Sequence, residues 1–213
     1  WMWKRHAGFD VVTYKSYGVA GRRLPHSLGR APEMLWIKDR EHSRAWAVYH
    51  KGLNGGTNPE DYWLTLDTSD AEASNTNIWH STAPTATHIS LGASHPVNTN
   101  LIHDMICLAF ASVDGISKVG YYAGSSSGIT ITTGFAPRFL ILKNITDNSS
   151  GWLVLDTTRG WGSGNDYKLN LNNNETQNNW DDLGAPTSTG FTVSTANSQW
   201  NAANKNYIYY AHA

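Results

Sequence analysis

The chain has 213 residues, a formal net charge of −1, only 15% charged residues, 10 Trp, 10 Tyr and a single cysteine. That balance excludes the broad basic footprint of a nucleic-acid or acidic-membrane binder, and one cysteine excludes an internal disulfide framework. No apolar run approaches the roughly 20 residues that span a bilayer as a helix.

Taken from the start, Trp1–Arg5 reads as the last strand of a preceding unit, with residues 1–8 as that strand and its linker. Val11–Tyr14, Met34–Ile37, Ala45–Tyr49 and Tyr62–Leu66 are short runs of β-branched and aromatic residues. Turn-forming clusters bound them at Ser27–Gly29, Asp39–Ser43 and Asn54–Pro59. Pro32 precedes the second run, where a missing N–H costs least, and Gly29 is expected to supply a positive φ. Thr68–Asn75 alone has a brief helical look, and Met105–Ala111, with Cys107 as a small buried hydrophobe, closes the unit. The plan then recurs in Gly128–Thr132, Phe139–Lys143, Trp152–Asp156, Tyr167–Leu171, Gly190–Val193 and Tyr207–His212. The predicted fold is all-β: two tandem homologous β-sandwich or jelly-roll-like units, residues 9–114 and 115–213, with strand order left open.

The repeat can be followed residue by residue. Phe9–Tyr14 is laid on Ile116–Tyr121, and Ala31–Lys38 on Ala136–Lys143, so that Pro32 and Gly29 find Pro137 and Gly134. Trp46 falls on Trp152, Asp61-Tyr62 on Asp166-Tyr167, Leu64–Leu66 on Leu169–Leu171, Ala83–Thr85 on Ala185–Thr187, and Met105–Ala111 on Tyr207–Ala213. Ala213 then reads as the end of an array.

Chemistry-bearing residues are sparse. His80, His88, His95 and His103 stand seven or eight apart, a spacing that fixes no common face, so the nine histidines read as ordinary ones and no metal or cofactor is expected. Gly124-Ser125-Ser126-Ser127-Gly128 has the letters of a nucleophile elbow but no following helix, and reads as a hairpin loop. Nothing brings two carboxylates together for glycoside cleavage, and the shared position of Asp61 and Asp166 points to a turn cap. No catalytic residue is assigned, and the chain is not expected to be an enzyme. In the second unit, Trp161, Asn165, Asp166, Asn179, Trp180, Asp181, Trp200 and Asn201 interleave aromatic rings with amides and carboxylates. Sugars bind such sets, because a ring stacks on the apolar face of the pyranose while amides and carboxylates take its hydroxyls. These eight form the candidate glycan site. Calcium held by the Asp/Asn clusters, or an Asn-rich loop set satisfying its own backbone, are the other readings.

The strings GFDVVTY, LPHSLGRAPEMLWIKDR, LAFASVDGISKVGYYAG, GFAPRFLILKN and GWLVLDTTRG resemble a module of tail fibre proteins in tailed bacteriophages, including marine cyanophages. The resemblance covers Phe9–Ala213, and its weight lies in the order of the elements, which occurs twice. The sequence departs from the usual module at His88-Ile89-Ser90 and His103-Asp104-Met105. The resemblance implies an extracellular virion protein, the C-terminal part of a tail fibre that attaches to a host-surface glycan or protein. It further implies a homo-oligomer, a trimer first, with other tail proteins as partners, and it brings no catalytic residues. A carbohydrate-binding module or depolymerase fragment, and a structural spacer or decoration domain, are the alternatives.

Overall fold

The computed structural model describes residue 5 and residues 7–125, 127–194 and 196–213. The expected strand of a preceding unit, Trp1–Arg5, lies outside the described residues but for Arg5. The contacts divide the chain into two compact units, one holding residues up to Leu66 and Glu72–Ser112, the other Asp67–Ala71 and Val113–Ala213. Both are built of antiparallel sheet, so the all-β reading holds.

The first unit contains β1 (Phe9–Lys15), β2 (Arg22–Pro25), β3 (Met34–Asp39), β4 (Ala47–His50), β5 (Tyr62–Thr65), β6 (Ala73–Ser74), β7 (His88–Leu91) and β8 (Asp104–Phe110). Six strands form one sheet in the order β1-β8-β3-β4-β5-β6, and β2 pairs with β7. Single helical turns, α1 (Thr76–Trp79) and α2 (His95–Asn98), complete it. Alternation along β8 sends Met105, Cys107 and Ala109 to one face. There they join Leu35, Ile37 and Tyr49 of the large sheet, Leu24, Ile89 and Leu91 of the small one, and Ile78, Trp79 and Val97 of the helical turns. The core thus lies between a large and a small sheet. The expected helix at Thr68–Asn75 does not form: Ala73-Ser74 pairs with β5 instead, and backbone pairing overrides a weak local propensity.

The second unit contains β9 (Ser117–Ala123), β10 (Ile129–Thr132), β11 (Phe139–Asn144), β12 (Trp152–Asp156), β13 (Asp166–Asn170), β14 (Asn178–Asp181), β15 (Pro186–Thr187), β16 (Gly190–Val193) and β17 (Asn206–His212). Its large sheet, read from the other edge, runs β9-β17-β11-β12-β13-β14, and β10-β16-β15 forms the small sheet. Position for position this is the strand order of the first unit. Its core has the same layering, with Leu140, Leu142, Leu153 and Tyr209 facing Phe191 and Val193. Of the hairpin expected at Gly124–Gly128, Ser126 lies outside the described residues; the flanking β9 and β10 lie in different sheets and do not pair.

Pairing corrects the repeat by one residue at its start. Phe9 stands opposite Phe110, and Ser117 opposite His212, so Phe9 corresponds to Ser117 and not to Ile116. Tyr14 therefore answers to Tyr122, and both hydroxyls donate to equivalent carbonyls, of Val97 at 2.6 Å and of Trp200 at 2.5 Å. Elsewhere the expected correspondence agrees with the register: Leu66 N donates to Trp46 O as Leu171 N does to Trp152 O. Gly29 and Gly134 have φ of 69° and 91°, the left-handed turn expected before Pro32 and Pro137.

The lysine that ends the repeated apolar strand has the same use in both units. Lys38 Nζ donates to the carbonyls of His42 and Arg44, closing the β3–β4 turn. Lys143 Nζ, buried, donates to Asn144 O at 2.7 Å and Ser150 O at 2.8 Å across the β11–β12 turn, and to Ser69 O at 3.2 Å in the Asp67–Ala71 segment. The next residue caps that turn from inside. Asp39 Oδ1 accepts from the amides of Glu41 and His42, and Asn144 Oδ1 accepts from those of Thr146 and Asp147.

Candidate functional site

Four of the eight candidate glycan contacts belong to the interior, which corrects their assignment. Trp161 is buried, its Nε1 donating to Gly184 O at 2.8 Å and its ring edge-on to Phe191. Trp200 is buried under Lys168, with its Nε1 on Ser194 Oγ at 3.2 Å. A ring packed on both faces offers nothing to a pyranose. Asp166 is buried and caps the loop before its strand, accepting from Gly162 N at 3.0 Å and Leu183 N at 2.8 Å. Burial, opposed by these amides, raises its carboxyl above the usual range. Its expected role as a turn cap is what the geometry shows.

Asn201 is buried as well. Its Nδ2 donates to Ser127 O at 2.9 Å and Ser194 O at 2.6 Å, and its Oδ1 accepts from Ser125 N at 2.8 Å. The first unit has a twin. Asn98 Nδ2 donates to Val19 O at 2.8 Å and Gly92 O at 3.1 Å, and its Oδ1 accepts from Tyr17 N at 3.0 Å and Gly18 N at 3.3 Å. Each asparagine ties the loop after the first strand to the end of the small sheet. The pair went unnoticed because the two sit in unlike contexts, Pro-Val-Asn and Gln-Trp-Asn.

The other four residues stay together on the β13–β14 hairpin. In the paired register Asp166 faces Asp181 and Lys168 faces Asn178, with a bulge between. Lys168, buried, forms an ion pair with Asp181 on the inward side. Alternation from these positions turns Tyr167 and Trp180 outward, 39% and 82% exposed. Asn165, exposed, and Asn179, half-buried, flank them and make no side-chain hydrogen bond among the described residues. Asn172 and Asn173 differ: they accept from the amides of Trp152 and Glu175, the self-satisfying loop of the plainer reading. What remains is an uncharged ledge, one indole face and one phenol edge with free amides, on the edge strand of the large sheet. A Trp left this far in water forgoes about 2 kcal/mol of burial free energy, which a ligand's apolar face would recover.

A second cluster arises where no motif pointed. Asp39 Oδ2 lies 2.8 Å from His103 Nδ1, 3.9 Å from His42 Nδ1 and 3.2 Å from Arg44 Nε. The two imidazoles stack with centroids 4.1 Å apart. Asp39, His42 and His103 are close enough together to be considered as metal ligands. The Arg44 guanidinium already neutralises the shared oxygen, and stacked rings aim their in-plane lone pairs side by side, not at one point. Burial works to raise the Asp39 carboxyl, and the Glu41 and His42 amides with His103 outweigh it, leaving it below the usual range. In the second unit Asn144, Asp147 and Lys205 take these places, with Lys205 Nζ on Asp147 Oδ1 at 2.6 Å. Both sets do one job, holding the turn after β3 or β11 to the chain entering β8 or β17. His103 was visible in the sequence as a departure from the module; its partner His42 was not.

A family model described as Domain of unknown function (DUF7483) matches residues 3–213. The chain belongs to this family. No curated protein and no solved structure matches it. The DUF7483 match takes in both units, so the large sheet of each unit and the β13–β14 ledge lie inside the matched region.

Proposed function

We propose that the chain is a virion structural protein, part of a phage tail fibre, that attaches to a host-surface glycan through the β13–β14 ledge of its second unit. The observation that carries the reading is Trp180, 82% exposed beside the free amides of Asn165 and Asn179. An indole face with adjacent donors and acceptors is the chemistry that pyranose rings require. The tail-fibre resemblance adds the setting, an extracellular homo-oligomer, a trimer first, acting with other tail proteins. Of the eight residues first considered, Trp180, Asn165 and Asn179 remain as contacts, with Tyr167 added; Asp181 is turned inward onto Lys168.

The test is binding of the purified chain to bacterial envelope polysaccharides, compared with Trp180→Ala. Loss of at least about tenfold in affinity is expected, the size of a central aromatic contact, with thermal stability unchanged. Equal binding by the variant removes the ledge from the reading. Release of oligosaccharide during incubation replaces the adhesin with a depolymerase fragment.

A further inference from the structure

Two loops of the first unit carry an apolar surface that its fold does not need. The loop after β1 and the loop before β8 are tied together by backbone-directed bonds. Ser16 N donates to His103 O at 3.0 Å, Ser16 Oγ to Leu101 O at 2.6 Å, and Asn98 bridges Tyr17 N to Val19 O. They abut so closely at Gly18 that a Cβ there would stand 2.5 Å from Asn100 Cα. With the backbone fixed from inside, the side chains that project are Tyr17, Val19, Leu101 and Ile102, 53%, 62%, 50% and 67% exposed. Arg22 lies over the Tyr17 ring, 4.7 Å from its centroid.

The second unit supplies the control. It preserves the scaffold, with Gly124 N on Lys205 O and Asn201 bridging Ser125 N to Ser127 O. At the positions of Tyr17, Val19, Leu101 and Ile102 it carries Ser125, Ser127, Ala203 and Asn204. The same loops are therefore built with small and polar residues in the second unit, so the scaffold itself does not require the apolar set. The apolar set in the first unit calls for an occupant.

We propose that this patch is the face through which the chain binds a second copy of itself. Its size suits that occupant: four such side chains expose roughly 400 Å² of apolar surface. A standard interface of about 800 Å² per partner, a little over half of it apolar, needs about that much. Its rim suits it too. Lys15 and Asp104, both half-exposed, stand side by side as an ion pair at 2.7 Å. A cation beside an anion complements its own image around a rotation axis. Tyr and Arg, stacked here, are residue types that interfaces favour. The proposal gives a location to the homo-oligomer of the proposed function and rests on that part of it; it is independent of the glycan ledge.

The experiment measures the mass of the full chain by light scattering and sedimentation across concentration. The comparison is with a variant carrying the second unit's residues, Tyr17→Ser, Val19→Ser, Leu101→Ala and Ile102→Asn. Ile102→Lys serves as a single-site check should the fourfold variant misfold. The parent chain is expected to associate in the micromolar range and both variants at least about tenfold more weakly, with unchanged circular dichroism. Trp180→Ala is expected to associate like the parent. A parent that stays monomeric at about 200 µM, well above a micromolar Kd, overturns both the patch and the oligomer. Folded variants that associate as tightly as the parent overturn the patch and leave the oligomer standing. A monomeric parent that floats with phosphatidylglycerol vesicles gives the patch to a lipid surface and overturns the proposal as well.

Discussion

Asn201 shows what one buried side chain can be asked to do. Its amide satisfies two carbonyls and one amide drawn from two separate stretches of chain, the loop after β9 and the end of β16. Asn→Ala at this position leaves those three groups without their protein partner, in part-buried bonds that water replaces only partly. Buried polar groups left unpaired cost about 1–3 kcal/mol each when water cannot reach them. Partial relaxation makes a total loss of about 2–4 kcal/mol the expectation for Asn201→Ala, and a similar loss for Asn98→Ala, read from denaturant midpoints. Asn201→Asp is expected to be no better, because it keeps the acceptor but sets a carboxylate against the carbonyls of Ser127 and Ser194. A loss under about 0.5 kcal/mol, the level of an ordinary surface substitution, would show that these loops do not depend on the asparagine.

At the level of elements, the β11–β12 hairpin couples a sequence signature to a pH dependence. Burial of Lys143 lowers its amine from 10.5 to about 8, against the pull of nearby Asp70 and Asp147. Between pH 8 and 10.5 the unfolded chain then holds a proton at this lysine that the folded chain has lost. Stability contributed at this site therefore rises with pH through that window, by on the order of 3 kcal/mol at most. The three carbonyl acceptors favour the ammonium and reduce the span. Lys143→Met lacks the titration, so the parent is expected to gain on the variant from pH 8 to pH 10 in urea unfolding; parallel curves would refute the linkage. The repeated apolar strand that ends in this lysine was legible in the sequence, as were the other strand runs, the prolines that precede β3 and β11, and the positive-φ glycines. The register of β1 against β9 was not, because apolar residues on both faces of these strands leave a one-residue slip unpunished in pattern alone. The interior Trp and Asn of the second unit were misjudged for a related reason. Composition shows that aromatic and amide groups are neighbours in the chain, whereas burial is settled by the small sheet that folds over them.

For the whole molecule, electrostatics separates the proposed ligand from its rivals. The net charge is −1, and the cations nearest the ledge are spoken for: Lys168 is buried against Asp181, and Arg159 is paired with Asp156 at 2.6 Å. A ligand held by an indole face and free amides makes no counterion-releasing contact, so its affinity has little reason to depend on salt. A polyanion neutralised at six to ten sites loses about 10³–10⁵ in affinity between 50 and 200 mM salt. Binding of polysaccharide to the full chain is expected to change less than about twofold over that range, as for contacts that release no ions. A steep fall would mean that charged groups elsewhere, such as Arg22, Arg23 and Arg30 of the first unit, carry the attachment. The salt titration therefore decides which unit meets the receptor, whatever the sugar proves to be.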